Sequence, residues 1–206
     1  PGQQPDLPAT LGRDAAGTVD VLGPGVDPAW LGRRVVTYLG ARNGGYAELA
    51  VANADDLHHL PDGIGFDTAV AMIGTGRTTL AVLEVAAIGA SDVVLITSAA
   101  GGMGSLAVQA AKQAGATVIG AAGGPDKVAK VRDLGADLAV DYLRPQWRED
   151  VETALGERPA TVALDGVGGD IGRAALELLA VGGRLVLYGW SSGEPTPLGV
   201  TDLFAR

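Results

Sequence analysis

Ser98, Gly101 and Gly104 stand at the spacing Ser-x-x-Gly-x-x-Gly, with Gly102 among them. The run Val93-Val-Leu-Ile96 precedes them; it is apolar and β-branched, and reads as a buried strand. Leu106-Ala-Val-Gln-Ala-Ala-Lys-Gln-Ala114 follows with the apolar spacing of a helix, and Gly115 ends it. A strand, a glycine turn and a helix in that order form a cradle for phosphate. Glycine lets the backbone approach a pyrophosphate, and the free N–H groups of a helix's first turn point at its charge. The residues of that cradle are Ser98, Ala99, Gly101, Gly102, Met103 and Gly104. Spacing alone is a weak signal in a chain with 32 glycines among 206 residues, and a ligand-free connection would be spelled the same way. The elements around the turn decide.

From residue 91 onward the pattern alternates. Strands are expected over 93–97, 117–121, 138–141, 161–165 and 184–188, and helices over 102–114, 126–134, 146–155 and 170–180. Such alternation predicts an α/β unit with a doubly wound parallel sheet covered on both faces. The glycine turn then follows the first strand of that sheet, where a dinucleotide would bind. Residues 1 to about 60 read differently, as β-rich, with strands over 16–22, 34–38 and 46–51. Gly23-Pro-Gly25, Asp27-Pro28 and Asn43-Gly-Gly45 separate them as turns. Residues 57–63 read as a connecting loop, and 66–72 and 77–87 as helical segments leading to the cradle. Ser191-Ser-Gly-Glu-Pro-Thr-Pro197 is a turn-rich tail suited to cover a ligand crevice, and a sixth strand is expected only beyond Arg206.

Composition narrows the function classes. Net charge is −9, from 15 Lys+Arg against 24 Asp+Glu, with no basic stripe, so nucleic acid is not an expected partner. Apolar runs are interrupted before 18 residues, so no membrane span is expected. Pro1-Gly-Gln-Gln-Pro-Asp6 lacks the features of a secretory signal. Cysteine is absent, which removes disulfides and thiolate ligands and fits a cytoplasmic protein.

Sites that prefer NAD hold the ribose 2′-OH with an acid at the end of the second strand, about 20 residues past the glycines. Here Thr117-Val-Ile-Gly-Ala121 runs into Ala122-Gly-Gly-Pro-Asp-Lys127 with no acid at its end. Gly123 and Gly124 leave room for a 2′-phosphate, and Lys127 supplies positive charge, so NADP (as NADPH) is the expected cofactor. Other readings stand beside this one: Asp126 as the cap of a helix starting at Lys127, Lys127 as a solvated charge, and Tyr142 as core. Gly166-Val167 and Tyr188-Gly189-Trp190-Ser191 lie at the ends of the fourth and fifth strands, where such sheets place ligands, and would line the nicotinamide side. Trp190 has packing under the tail as its alternative.

Leu11-Gly-Arg-Asp-Ala-Ala-Gly-Thr-Val19, Gly44-Gly-Tyr-Ala-Glu48 and Leu60-Pro-Asp-Gly63 resemble conserved stretches of the medium-chain dehydrogenase/reductases. Ser98-Ala-Ala-Gly-Gly-Met-Gly104, Leu134-Gly-Ala-Asp137 and Asp165-Gly-Val-Gly-Gly169 resemble the quinone oxidoreductase branch, which uses NADPH and no zinc. The resemblance implies a Rossmann-type doubly wound parallel sheet over residues 74–206, preceded by a partial GroES-like β-rich domain over 1–73. It implies that Lys127 and Tyr142 contact the 2′-phosphate and that Thr78, in Gly76-Arg-Thr-Thr79, lies near the nicotinamide ribose or phosphates. A helix N-terminal hydroxyl is the other reading of Thr78. Family members extend beyond both ends of this sequence, so an interior portion lacking the final strand is expected. The family's usual Gly-Asp-Arg-Val stands here as Gly32-Arg-Arg-Val35.

Zinc-dependent relatives carry a His after the Gly of the Leu-Gly motif, where this sequence has Arg13 and then Asp14. The four-Cys zinc lobe is missing, and the neighbouring His58 and His59 read as surface residues rather than metal ligands. The implied reaction is hydride transfer from NADPH to a small-molecule electron acceptor: a quinone, an enone or a small carbonyl. Tyr38, Arg42 and Tyr46 are possible cleft residues with structural roles as the stronger reading, and no residue is nominated as general acid. A homodimer is what the resemblance implies. The alternatives are an NADPH-binding protein without turnover and a zinc-type alcohol dehydrogenase.

Overall fold

The computed structural model describes residues 7–205, which divide into two compact units after Arg77. The first unit is built on a small antiparallel sheet, β1 (Asp14–Thr18), β2 (Arg34–Tyr38) and β3 (Leu57–His59), in the order β1-β2-β3. Val36, Leu60 and Ala69 form its buried cluster, with Ala16 and Ile73 packed against it. Arg34 stacks over the Phe66 ring at 4.8 Å and donates to the Ile64 carbonyl at 2.5 Å.

Three expectations change in this unit; the strand expected over 16–22 forms as Asp14–Thr18 and ends before residues 19–22. Residues 57–59, expected as loop, form β3, because Val35, Val36 and Thr37 offer them a free edge. Residues 46–51, expected as a strand, are irregular: Tyr46, Leu49 and Val51 are exposed, and only Gly44, Gly45 and Tyr46 donate backbone bonds to residues 10–12. An alternating pattern becomes a strand only where a neighbouring edge and a face to bury against are both supplied.

Helix α1 (Phe66–Ala86) runs without interruption through the glycines that separated the two expected segments. Gly74 is present for close packing, since a Cβ there would lie 3.0 Å from the Asp14 carboxylate. By length and composition α1 is able to cross a membrane, with mean hydropathy 1.3, which counting unbroken apolar runs overlooks. Ala69 and Ile73 pack in the first unit's cluster, while Val82, Leu83 and Ala86 pack in the second's.

The second unit alternates strand and helix: β4 (Val93–Ile96), α2 (Gly102–Gln113), β5 (Thr117–Ala122), α3 (Pro125–Asp133), β6 (Leu138–Asp141), α4 (Trp147–Leu155), β7 (Ala160–Asp165), α5 (Gly169–Glu177) and β8 (Leu179–Leu187). The short α6 (Val200–Ala205) follows. All pairings are parallel, in the order β6-β5-β4-β7-β8, so β4 is central and the winding reverses beside it. Every residue of β4 is buried, as an unbroken β-branched run requires. Val94 and Ile96 face a cluster with Ala107, Val108 and Ala111 of α2 and Val128 and Val131 of α3. Val93 and Leu95 face the opposite cluster with Trp147 and Val151 of α4 and Ala175 and Leu176 of α5. Each fully buried Val, Leu or Ile among them contributes about 1.5–3 kcal/mol of burial. The doubly wound sheet is as expected.

One boundary moves. The helix expected over 170–180 ends at Glu177, and Leu179 already pairs with Ala160 at the start of β8. A bulge before Arg184 absorbs the extra residues.

Candidate functional site

The turn after β4 is tied to the neighbouring strand by backbone bonds and carries no side-chain cap. Ser98 adopts φ 52°, an uncommon conformation for a residue other than glycine. Ala99 is fully buried and donates its N–H to the Ala121 carbonyl at 3.0 Å, tying the turn to β5. Gly101 donates to Ser98 O at 2.9 Å and is the N-cap of α2, with no side-chain cap bond. The helical ladder begins with Ser105 N–H donating to Gly101 O at 2.8 Å. The hydroxyl of Ser105 bonds Gly102 O, so it leaves the amides of the first turn free of a cap. Gly104 lets helix and strand meet closely, because a Cβ there would lie 2.8 Å from Ala99 Cα and 2.9 Å from Ser98 C. A Cβ on Gly101 would lie 3.2 Å from Ser98 O. This cradle of uncapped donors fits the pyrophosphate of a dinucleotide.

The end of β5 is built from small residues. Ala122 is buried, and a Cβ on Gly123 would come within 3.0 Å of the Tyr142 ring. Gly124, at φ 90°, caps α3 and donates to Asp141 Oδ1 at 2.8 Å. Leu143 N–H donates to the same oxygen at 3.0 Å. These two backbone bonds, Gly124 first, hold the Asp141 carboxyl below its ordinary value, while burial and the Asp141 charge push the Tyr142 hydroxyl up. Asp141 therefore fastens the Gly123–Gly124 turn to the backbone around Tyr142. Helix α3 begins at Pro125, so Asp126 lies in its first turn and is not its cap.

Lys127 is exposed in the same first turn. A cation at a helix N-terminus opposes the macrodipole by about 0.3–1 kcal/mol, and a bound anion would relieve that. Lys130, one helical turn on, donates to Ala100 O at 3.0 Å and so reaches the glycine turn itself. Sequence reasoning missed it; its only signal was the three-residue spacing from Lys127.

The ends of β7 and β8 form a third segment. Gly166 and Val167 are buried, and the Tyr188 ring lies against Gly166, where a Cβ would sit 2.7 Å from its Cζ. Tyr188 donates its hydroxyl to Thr97 O at 3.2 Å. Burial first, and the Asp165 charge second, push that hydroxyl up to about 12. Gly189 packs on Gly166, Trp190 is 57% exposed and so not packed under the tail, and Ser191 N–H donates to Gly166 O at 3.1 Å. Asp165, fully buried, was quoted in a motif but given no role by sequence. Thr78 lies in the interior of α1, which removes the helix N-terminal reading.

In the first unit Arg77 stacks on Tyr38 at 5.0 Å, Tyr46 is exposed, and Arg42 ends a short 3-10 turn. Asp14 Oδ1 is buried without a hydrogen-bond partner. Among the described residues no three His, Cys, Asp or Glu side chains converge to hold a metal. His58 and His59 are exposed, and as successive strand residues they point to opposite faces. Neither histidine therefore belongs to a group of donors that could hold a zinc ion among the described residues.

The family model described as zinc-binding dehydrogenase matches residues 102–206, and that of the alcohol dehydrogenase GroES-like domain matches residues 2–62. The quinone oxidoreductase of Salmonella typhimurium is 36% identical over 193 residues, which are 93% of this chain and 59% of that protein. A 2-haloacrylate reductase of a Burkholderia species is 31% identical over 198 residues, covering 95% and 59% of the two chains. The solved structure of the Escherichia coli quinone oxidoreductase complexed with NADPH superposes with a TM-score of 0.87 at 33% identity, covering 98% of this chain and 62% of that one. The chain thus spans 59% of the length of these two curated relatives.

Proposed function

Because the chain belongs to the zinc-binding dehydrogenase family of the medium-chain dehydrogenase/reductase superfamily, we propose that it binds NADPH and serves zinc-independent hydride transfer to an electron-poor acceptor, a quinone, enone or small carbonyl. The observation that carries this reading is the uncapped glycine turn beside a strand that ends in Ala122 rather than an acid. The relatives named for quinones and 2-haloacrylate support an electron-poor acceptor.

In this reading residues 74–206 carry the cofactor and 1–73 the substrate side. The Ser98–Gly104 turn receives the pyrophosphate on its amides, while Gly123, Gly124, Lys127 and Tyr142 receive the ribose 2′-phosphate. Gly166, Val167, Tyr188, Gly189, Trp190 and Ser191 line the nicotinamide side, with Thr78 near its ribose or the phosphates. The bound nicotinamide supplies the hydride. The chain's own work is to bind the nicotinamide and acceptor and align them, and water supplies the acceptor's proton.

Calorimetric titration of the chain with NADPH and with NADH, side by side, tests the reading. Selective binding of NADPH is expected, followed by its oxidation in the presence of quinones or enones. Preference for NADH would overturn the phosphate site, and binding of neither nucleotide by the folded chain would overturn the cradle. Selective binding with no oxidation across an acceptor panel would leave a nucleotide-binding protein without turnover.

A further inference from the structure

The carboxyl group of Asp165 is the most heavily hydrogen-bonded buried group of the second unit, and the proposed hydride transfer makes no use of it. Its Oδ1 accepts from Thr97 Oγ1 at 2.6 Å and from Val167 N at 2.9 Å; Gly168 N approaches both oxygens, at 3.3 and 3.2 Å. Its Oδ2 accepts from Thr196 Oγ1 at 2.7 Å. Thr97 in turn accepts from Gly166 N at 3.0 Å. Three of these donors belong to the ends of β4 and β7 or the turn just after β7. Thr196 belongs to the segment that follows β8, 31 residues away in sequence.

That segment returns over the turn. Ser191 N donates to Gly166 O at 3.1 Å, Ser192 N to Val167 O at 2.9 Å, and Gly169 N to Glu194 O at 3.0 Å. The glycines of the turn are spaced to admit it. A Cβ on Gly168 would lie 2.9 Å from Trp190 Cβ, and one on Gly172 would lie 3.0 Å from Thr196 Cγ2 and collide with the Thr196 and Asp165 oxygens. Pro195 and Pro197 flank Thr196 and restrict its backbone to an extended form, so its hydroxyl is presented with little conformational freedom to lose.

The geometry points to Asp165 as a positioning residue. Through Thr196 its carboxyl latches residues 190–197 onto the turn after β7, and so sets the wall formed by Gly166, Val167 and Tyr188–Ser191. The latch rests on the NADPH reading for what that wall faces, namely the nicotinamide half of the cofactor. It acts on that half alone, because the Ser98–Gly104 turn and the Lys127–Tyr142 segment make none of these bonds.

Thr196→Val removes the strap's hydroxyl at nearly constant volume and leaves Asp165 its other three donors; Thr196→Ser restores the hydroxyl. Amide hydrogen exchange of the free chain reads the latch directly. In Thr196→Val the amides of Gly169, Ser191 and Ser192 are expected to exchange about tenfold faster, as loss of a hydrogen bond to a charged group implies. Those of β4 stay unchanged, and Thr196→Ser exchanges like the parent. Titration reads the positioning. NADPH affinity is expected to fall about tenfold in Thr196→Val, while adenosine 2′,5′-bisphosphate, which lacks the nicotinamide half, binds as to the parent. Exchange within twofold of the parent would overturn the latch. Faster exchange with unchanged NADPH affinity, or equal weakening of NADPH and the bisphosphate, would overturn the positioning role. A parent chain that binds neither nucleotide overturns the cofactor reading and with it the positioning role, while the exchange measurement still decides the latch.

Discussion

Two glycine-rich turns leave the same end of neighbouring parallel strands, one after β4 and one after β7, and they use their glycines in opposite ways. In the first, Ser98–Gly104, the glycines bring α2 against β4 and leave the helix's opening amides uncapped. In the second, the amides of Val167 and Gly168 are taken by Asp165 and that of Gly169 by Glu194 O, and the space the glycines leave is filled by residues 190–197. One turn leaves its donors uncapped and the other has already satisfied its own from within the chain. A glycine pattern therefore says that backbone comes close to something. Whether that something is a ligand depends on where the neighbouring donors and acceptors go.

The largest expected effect comes from emptying the second turn. Asp165→Ala removes the acceptor of three buried donors and of the half-buried Thr196 hydroxyl and is expected to lower stability by about 4 kcal/mol, read as a fall in the denaturant midpoint. A loss under about 1 kcal/mol would mean that water replaces the carboxyl and that the second turn is as open as the first. Gly104→Ala tests the first turn, where the new Cβ meets Ser98 and Ala99 backbone. A cost of about 3 kcal/mol and loss of nucleotide binding are expected, by thermal unfolding and calorimetry.

Alkaline titration probes the second turn through Tyr188. Tyr188 holds its proton to about 12 in the folded chain against an ordinary 10.0. Its contribution is complete below pH 10.0 and is lost as pH rises through about 12, because the unfolded chain releases the proton first. The fall amounts to about 2.7 kcal/mol, and Tyr188→Phe should abolish it. The smallest effect belongs to the first turn's surroundings. Lys127→Ala, at an exposed position in the first turn of α3, should raise stability by no more than about 0.3–1 kcal/mol and weaken NADPH about tenfold with no change for NADH. Equal effects on both nucleotides would remove the 2′-phosphate role.

The sequence signals were strongest where the interaction is local or repeats along one element. Val93 to Ile96 announces a strand buried on both faces, and Leu106 to Ala114 a helix, because apolar periodicity is the very property that packing selects. Alternation of such runs is enough to imply the doubly wound sheet. The residues 46–51 and 57–63 misled for the complementary reason: pattern says that a segment is able to pair, and only the partner edge decides whether it does. Residues 73–76 misled because glycine in a helix reads as a break, whereas Gly74 clears space for Asp14.

The sequence by itself determined the alternation of strands and helices from β4 to β8, the place of the glycine turn, and the missing acid at the end of β5, since each is written in consecutive residues. Only the tertiary structure decided which polar groups meet. Thr97 and Asp165 are 68 residues apart, Lys130 and Ala100 are 30 apart, and Thr196 reaches Asp165 across 31. No periodicity spans such separations. The parallel sheet brings these groups together because it aligns the ends of strands that are distant in sequence, and burial then makes every unpaired donor there too costly to leave unmet.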